Sequence, residues 1–290
     1  MQRTKVHISI NGNASDLRSF RPYAKLGILT RHCPLACPKE RPGLSVLADN
    51  LRMRLGALTL ADIAQASTQL RTLSTGGNCM EDVGTRACRY LYENLLNDEG
   101  HPACALVRFF VTHAYGQLPA ELQAFARGVL SNFEPSSSTR CLTLLGTAGD
   151  EPQWNSRHTS LGHKAIPLPS EQMVAAFPMI SNLVNQFGLE VKSLIAPSPT
   201  FFREQGGRSF NVFHLPSALV SPLVPAQSDF VVPYRIRTVL GFGGPLPSGD
   251  IFATILFTKV VLPLDIAELF KPVSLSLKLA LLEHAQQVFA

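Results

Sequence analysis

The sequence has no long uncharged apolar stretch of the kind that crosses a membrane. A transmembrane helix needs about 18 or more consecutive apolar residues, and no segment of the 290 residues meets that requirement. The first 30 residues also lack the apolar core that a secretory signal peptide carries between charged and small flanking residues. A cytoplasmic protein with no membrane partner is therefore predicted.

The short motifs that mark common catalytic sites are missing as well. There is no G-x-S-x-G nucleophile elbow, no P-loop and no H-E-x-x-H pair. Gly241-Phe-Gly243 begins like a dinucleotide-binding fingerprint, but Leu246 stands at the position of the third glycine and a predicted hairpin follows. We therefore expect no enzyme and predict no catalytic residue.

Cysteine is sparse, and no C-x-x-C pair exists. Six cysteines in a chain of this length without a signal peptide indicate reduced thiols and not a disulfide framework. Cys33 and Cys37, preceded by His32, are the closest pair, but a closed zinc site would need two further ligands. No metal ligand is predicted, although a metal- or haem-linked redox sensor remains an alternative interpretation. Three other cysteines fall on apolar faces and are predicted to be small buried residues: Cys88, Cys104 and Cys141.

The net charge of +5 is concentrated at one end of the chain. Residues 1–45 hold eight basic and two acidic residues, a balance of +6, so the remaining residues sum to −1. A general nucleic-acid groove needs basic residues spread over the folded surface, which argues against nucleic acid as a partner. Four prolines exclude a long helix there, and residues 1–45 are interpreted as a basic, proline-rich leader ahead of one domain over residues 46–290.

Apolar periodicity predicts an α+β domain with an antiparallel sheet, flanking helices and a long C-terminal helix. The last third is the most informative part, because two apolar runs flank the turn Pro245–Asp250 and therefore predict a β-hairpin. Asp265 then caps a helix that runs to the end of the chain. The predicted helices cover 46–74, 80–97, 118–130, 170–188 and 265–289, and the predicted strands cover 103–112, 140–147, 209–214, 237–244 and 251–260.

This order of elements over residues 80–290 resembles the GAF domain, a bacterial small-molecule sensing module of GAF/PAS-like architecture. The blocks 154–170, 210–216 and 225–233 are similar to a variety found ahead of output domains in bacterial sensor kinases and cyclases. The resemblance implies a signal-transduction input module that binds an unidentified small molecule and transmits through its C-terminal helix. It also implies a kinase or cyclase output domain as a partner in trans. One departure is the separation of the first two strands by about 27 residues, where a typical GAF domain has a short turn.

The loop 153–170 is the first candidate ligand site, because it gathers aromatic and polar groups between two prolines. Its candidate ligand-binding residues are Trp154, which is the only tryptophan, Arg157, His158 and His163. In the alternative interpretation, this is a packed surface loop whose tryptophan covers the core and whose arginine or histidines cap a helix end. A second candidate set lies on the late strands, where alternate residues share a face: Phe213, His214, Tyr234, Arg235 and Phe242.

The last predicted helix is apolar on two faces, which implies two packing partners. One face would cover the sheet. The other carries Leu275, Leu279 and Leu282, and is interpreted as the interface of a symmetric homodimer. A third interpretation of the whole chain is an interaction scaffold with a degenerate, filled pocket.

Overall fold

The computed structural model describes residues 52–130, 133–197 and 211–290. The predicted leader 1–45, with Cys33 and Cys37, lies outside the described residues. The described helices are α1 (Leu60–Thr72), α2 (Met80–Asn94), α3 (Ala120–Val129), α4 (Glu171–Ala175), α5 (Pro178–Gln186), α6 (Val191–Ile195), α7 (Leu264–Glu268) and α8 (Lys271–Leu282). The strands are β1 (Met53–Arg54), β2 (Leu95–Leu96), β3 (Cys104–Ala114), β4 (Arg140–Gly149), β5 (Ala165–Pro167), β6 (Val212–Leu215), β7 (Thr238–Pro245) and β8 (Ile251–Thr258).

Six of these strands form one antiparallel sheet in the order β5-β4-β3-β8-β7-β6. The long strands β3 and β8 lie in the centre, and the two edges are the short strands β5 and β6, which limits the unpaired backbone that each edge exposes. The turn Pro245–Asp250 joins β7 to β8, so the predicted hairpin is present. The expected α+β class, with an antiparallel sheet, flanking helices and a C-terminal helix, is confirmed.

Both faces of the sheet are buried. β8 is buried along its whole length, and β3 is buried except for its last residue. One face, which includes Phe109 and Phe252, packs against α2 and α8, and α1 packs in turn against α8. The opposite face, which includes Phe110 and Ile255, packs against α5, α6 and the loops 153–164 and 218–236. The sheet is therefore the middle layer of the molecule.

Helix α2 lies directly on the sheet because two glycines allow a close approach. A Cβ atom added at Gly146 of β4 would overlap the carbonyl group of Gly84 in α2. A Cβ atom at Gly84 would overlap the ring of Phe109. No other residue type fits at these two positions while the helix keeps its present distance from the sheet.

Three predicted helices differ from the observed ones. In the described part of 46–74, residues 53–57 form a short strand and a 3₁₀ turn, and α1 begins only at Leu60. Its start is set by a capping box, in which the Thr59 hydroxyl accepts from the amide of Asp62 at 3.2 Å and the Asp62 carboxylate accepts from the amide of Thr59 at 2.8 Å.

The other two predicted helices are each divided by a proline. The segment 170–188 forms α4 and α5, with Pro178 in the first turn of α5. The segment 265–289 forms α7 and α8, with Pro272 in the first turn of α8. Proline lacks the N–H that would continue a preceding helix but fits a first turn. No helix among residues 52–130, 133–197 and 211–290 combines the length and apolar character needed to cross a membrane.

We expect Gly146→Ala to lower the free energy of unfolding by about 1–3 kcal/mol, the usual cost of overpacking. The added methyl group meets backbone, which cannot move aside as a flexible side chain could. Gly128→Ala is the matched control, because Gly128 lies in α3 with open space around its Cα, and alanine there should stabilise the helix by about 0.5–1 kcal/mol. Urea unfolding of both variants measures the difference. Equal stability of the two would contradict the close contact.

Candidate functional site

A cavity of about 320 Å³ lies between the sheet and the segments that cover the face of Phe110 and Ile255. Its floor is formed by side chains of β3, β4, β5 and β8. Its other walls come from α5, α6 and two loops, residues 153–163 and 223–230. The volume falls at the lower end of the range of about 300–1,000 Å³ that is typical of small-molecule pockets. The lining is mostly aliphatic and aromatic, with few polar groups.

Arg108 is a charged side chain on the cavity floor. It lies on the central strand β3 and is only 9% exposed. Its Nη2 donates to the hydroxyl of Ser160 at 3.1 Å, and its Nη1 donates to the carbonyl of Gly162 at 3.4 Å. The guanidinium is thus tethered to the loop that forms the adjacent wall.

His163 contacts the same guanidinium. Its Nδ1 lies 3.3 Å from Nη1 of Arg108. Because a guanidinium nitrogen can only donate, Nδ1 accepts this hydrogen bond and the imidazole proton resides on Nε2. Burial, reinforced by the positive charge of Arg108, lowers the pKa of His163 to about 3, so the ring is neutral at physiological pH. His163 also has a positive φ of 61°, a conformation in which His, Asn and Asp are enriched.

Trp154 forms part of the cavity wall within an aromatic cluster. Its ring centroid lies 4.6 Å from that of Tyr234 and 5.7 Å from that of Phe230. The indole is 6% exposed, and the Tyr234 hydroxyl donates to the carboxylate of Glu151 at 3.0 Å. The cluster joins the loop 153–164 to the loop 218–236, both of which border the cavity.

Arg157 and His158 belong to the same loop but point elsewhere. Arg157 is 7% exposed and forms ion pairs with Glu81 and Glu121, at the starts of α2 and α3. Its Nη2 donates to Oε2 of Glu81 at 3.0 Å. His158 is exposed, with its ring nitrogens 3.6–3.7 Å from the same two carboxylates. Neither residue lines the cavity, and the contacts of Arg157 agree with the alternative in which the loop arginine serves helix ends.

The structure does not bring the second candidate set together. Phe213 is buried on the cavity side of the sheet, whereas Phe242 lies on the opposite face and stacks on Phe270. His214 donates from Nε2 to the carbonyl of Leu262 at 2.8 Å, and Arg235 is exposed. In the β6–β7 pairing Phe213 is opposite Gly241, so those two residues share a face. Phe242 is the next residue along β7 and therefore points to the opposite face.

The leucines of the predicted dimer interface lie on α8. Leu275 and Leu279 are 45% and 44% exposed, and Leu282 is half-buried against the core. The homodimer remains a prediction.

The described cysteines are free thiols. Cys88, Cys104 and Cys141 are fully buried, which confirms their prediction as small core residues. In the described ranges, no three metal-binding side chains are grouped so as to hold a metal ion.

Sequence reasoning missed Arg108. A signal was present, because Arg108 is the single charged residue within the apolar run 103–111 that predicted a buried strand. A charge in a buried strand requires a specific environment. Its partners Ser160, Gly162 and His163 are more than 50 positions away in sequence, so the cluster itself could not be read from local patterns.

No family model and no curated protein matches the sequence. Among solved structures, the chain is similar to the free methionine-R-sulfoxide reductase of Neisseria meningitidis in complex with its substrate. That alignment has 10% identity and a TM-score of 0.43, and covers 81% of this chain and 98% of the other. It is also similar to the phycoerythrobilin-bound GAF domain of a cyanobacterial phytochrome, with 10% identity, a TM-score of 0.37 and coverage of 79% and 99%. With TM-scores below 0.5, neither likeness assigns a ligand or an activity to this chain.

The lowered pKa of His163 predicts a loss of stability in mild acid. An unfolded histidine titrates near about 6.5, so the unfolded chain binds one more proton than the folded chain as the pH falls from there toward 3. The contribution is fully present above the unfolded pKa and declines below it, at a slope that approaches about 1.4 kcal/mol per pH unit. Burial also lowers the pKa of His113, to about 4, which adds in the same direction.

We expect His163→Asn, which tolerates the positive φ, to reduce the slope of unfolding free energy against pH between 6 and 4. Urea unfolding at several pH values measures it. His158→Asn is the control, because His158 is exposed in the same loop. An unaltered slope in His163→Asn would contradict the assignment of a neutral buried ring.

Arg157→Met should destabilise the protein by about 3–5 kcal/mol, because it leaves the buried carboxylate of Glu81 without its cation. His158→Ala should change stability by about 0.5 kcal/mol or less, since its side chain is exposed. Thermal unfolding of both variants distinguishes the two. If Arg157→Met were as stable as His158→Ala, the ion pairs would have no structural role.

Proposed function

We propose that this chain is a sensory protein that binds a small molecule in the cavity above the sheet and has no catalytic activity. The observation that carries the proposal is the cavity itself, about 320 Å³ of space lined mostly by apolar side chains with a few polar groups. Such a combination is typical of small-molecule sites. A densely packed core would have filled this space.

The location of the cavity supports this proposal. On the other face of the sheet, Gly146 of β4 and Gly84 of α2 let the helix pack on the sheet without a gap. The cavity face is covered by the short helices α4, α5 and α6 and by loops. Loops carried on a rigid sheet are common places for binding residues.

The raised pKa values of three buried cysteines argue for ligand binding and against a reaction that uses a cysteine thiolate. Burial raises the pKa of Cys88 and raises that of Cys104 and Cys141 to about 12. A thiolate is the reactive form of cysteine, so these three groups are held in their unreactive form.

The contacts of the loop 153–164 suggest how ligand binding is transmitted. One part of the loop, with Trp154 and His163, lines the cavity. Another part places Arg157 on Glu81 at the start of α2. There, the amides of Met80 and Glu81 donate at 2.8 and 2.9 Å to the carbonyls of Gln287 and Val288, in the segment that follows α8. A ligand that displaces the loop would thereby act on the C-terminal segment.

Titration with N-phenyl-1-naphthylamine, a neutral apolar fluorophore, tests the proposed site. We expect saturable binding at one site per chain, with a change in the emission of Trp154, because the indole forms part of the cavity wall. As the only tryptophan, it reports on this wall alone.

Two neighbouring alanines provide matched variants. Both Ala175 and Ala176 are exposed, but only Ala176 lines the cavity. Ala176→Phe should weaken probe binding by roughly tenfold through lost space, about 1.4 kcal/mol, and Ala175→Phe should leave it unaltered. Absence of saturable binding, or equal effects of the two variants, would overturn the proposed site.

A further inference from the structure

The buried part of the cavity offers a ligand mainly hydrocarbon. The residues that line it from β3, β4, β5, β8, α5 and α6 are apolar apart from Arg108, and most of them are buried. Arg108 is committed to the protein, because its guanidinium donates to Ser160 and Gly162 and contacts the ring of His163. A charged ligand group would lose its hydration here and would have to displace one of these contacts.

The other titratable groups on the cavity wall do not favour an ion of either sign. His163 is neutral at physiological pH, since its pKa is lowered to about 3. Asp229 is the acidic residue among the described lining residues, and its side chain is exposed, with the Ser228 hydroxyl donating to its carboxylate at 3.0 Å. A ligand carboxylate near the exposed rim would be repelled by Asp229, and an ammonium group in the buried interior would lie away from this carboxylate. An uncharged ligand avoids both costs.

Gln153 supplies a neutral polar group on the cavity wall. It belongs to the 3₁₀ turn Pro152–Trp154, next to the indole that also lines the cavity. The Thr159 hydroxyl donates to the backbone carbonyl of Gln153 at 3.0 Å and fixes the turn. The half-buried carboxamide makes no hydrogen bond to any residue in the ranges 52–130, 133–197 and 211–290. A carboxamide both donates and accepts, so it can bind a hydroxyl or a carbonyl group without bringing a charge into the cavity.

We propose that the ligand is an uncharged, largely hydrocarbon molecule with one hydroxyl or carbonyl group, which binds the carboxamide of Gln153 while the hydrocarbon lies between the sheet and α5. This inference rests on the proposed function, because it presupposes that the cavity binds a small molecule. It assigns polar recognition to a neutral side chain of the loop 153–164, in place of Arg157 and His158, which do not line the cavity.

Three ten-carbon ligands test the charge preference on the unmodified protein. Decan-1-ol, decanoate and decylamine are each used to displace N-phenyl-1-naphthylamine at pH 7. We expect decan-1-ol to bind roughly tenfold or more tightly than either ion, because each ion must give up hydration that the apolar lining does not replace. Equal or tighter binding of decanoate or of decylamine would overturn the inference. Failure of the fluorophore to bind refutes the proposed function, whereas fluorophore binding without a preference for the alcohol refutes this inference alone.

Two glutamine variants test the polar contact. Gln153→Leu should weaken binding of decan-1-ol by roughly threefold to tenfold, the range for a neutral hydrogen bond. Binding of 1-chlorodecane, which has no hydroxyl group, should not be weakened. Gln172→Leu, at an exposed residue of α4 that does not line the cavity, is the matched control and should leave both affinities unaltered. Equal effects of the two substitutions on decan-1-ol would overturn the role of Gln153.

Discussion

The structure depends on one constraint, which is that both faces of the central sheet are apolar and both must be covered. β3 and β8 are buried along almost their whole length, and an uncovered face of that size would be a large exposed hydrophobic patch. The two faces are covered differently. Helices α2 and α8 cover one face, with α1 packed against α8, and α2 approaches closely enough to require glycine at positions 84 and 146. The other face is covered by short helices and loops, and a cavity remains there.

The loop 153–164 connects these two sides. It lines the cavity with Trp154 and His163, and between them it places Arg157 against Glu81 and Glu121 at the starts of two helices. Removing one partner of a buried ion pair is costly, because the other charge stays buried without compensation. The loop is therefore held by aromatic packing at Trp154, near the cavity, and by charge pairing at Arg157, near α2. The loop thus links the cavity to the start of α2, whose first amides also donate to the carbonyls of Gln287 and Val288.

Sequence patterns predicted the principal strands and helix α2 to within a few residues, because apolar runs and apolar periodicity reflect burial directly. They failed where a single local signal overrides periodicity. The capping box of Thr59 and Asp62 delays the start of α1, and Pro178 and Pro272 divide the two helices that periodicity alone joins. The candidate site was predicted in part. The loop with Trp154 and His163 does border a cavity, but Phe213 and Phe242 point to opposite faces, because strand register is absent from the sequence pattern.

The sequence by itself determined the α+β class, the buried strands, the hairpin of β7 and β8, and the burial of Cys88, Cys104 and Cys141. All of these follow from the local order of apolar and turn residues. Only the tertiary structure decided what each charge does. Arg157 meets Glu81 across 76 positions of the chain, and Arg108 meets His163 across 55. Such pairings depend on distances between elements that are remote in sequence, and electrostatic interactions are set by those distances and by burial. For this reason the sequence could single out Arg108 as a charge in a buried strand, but only the folded chain shows its partners and its place on the cavity floor.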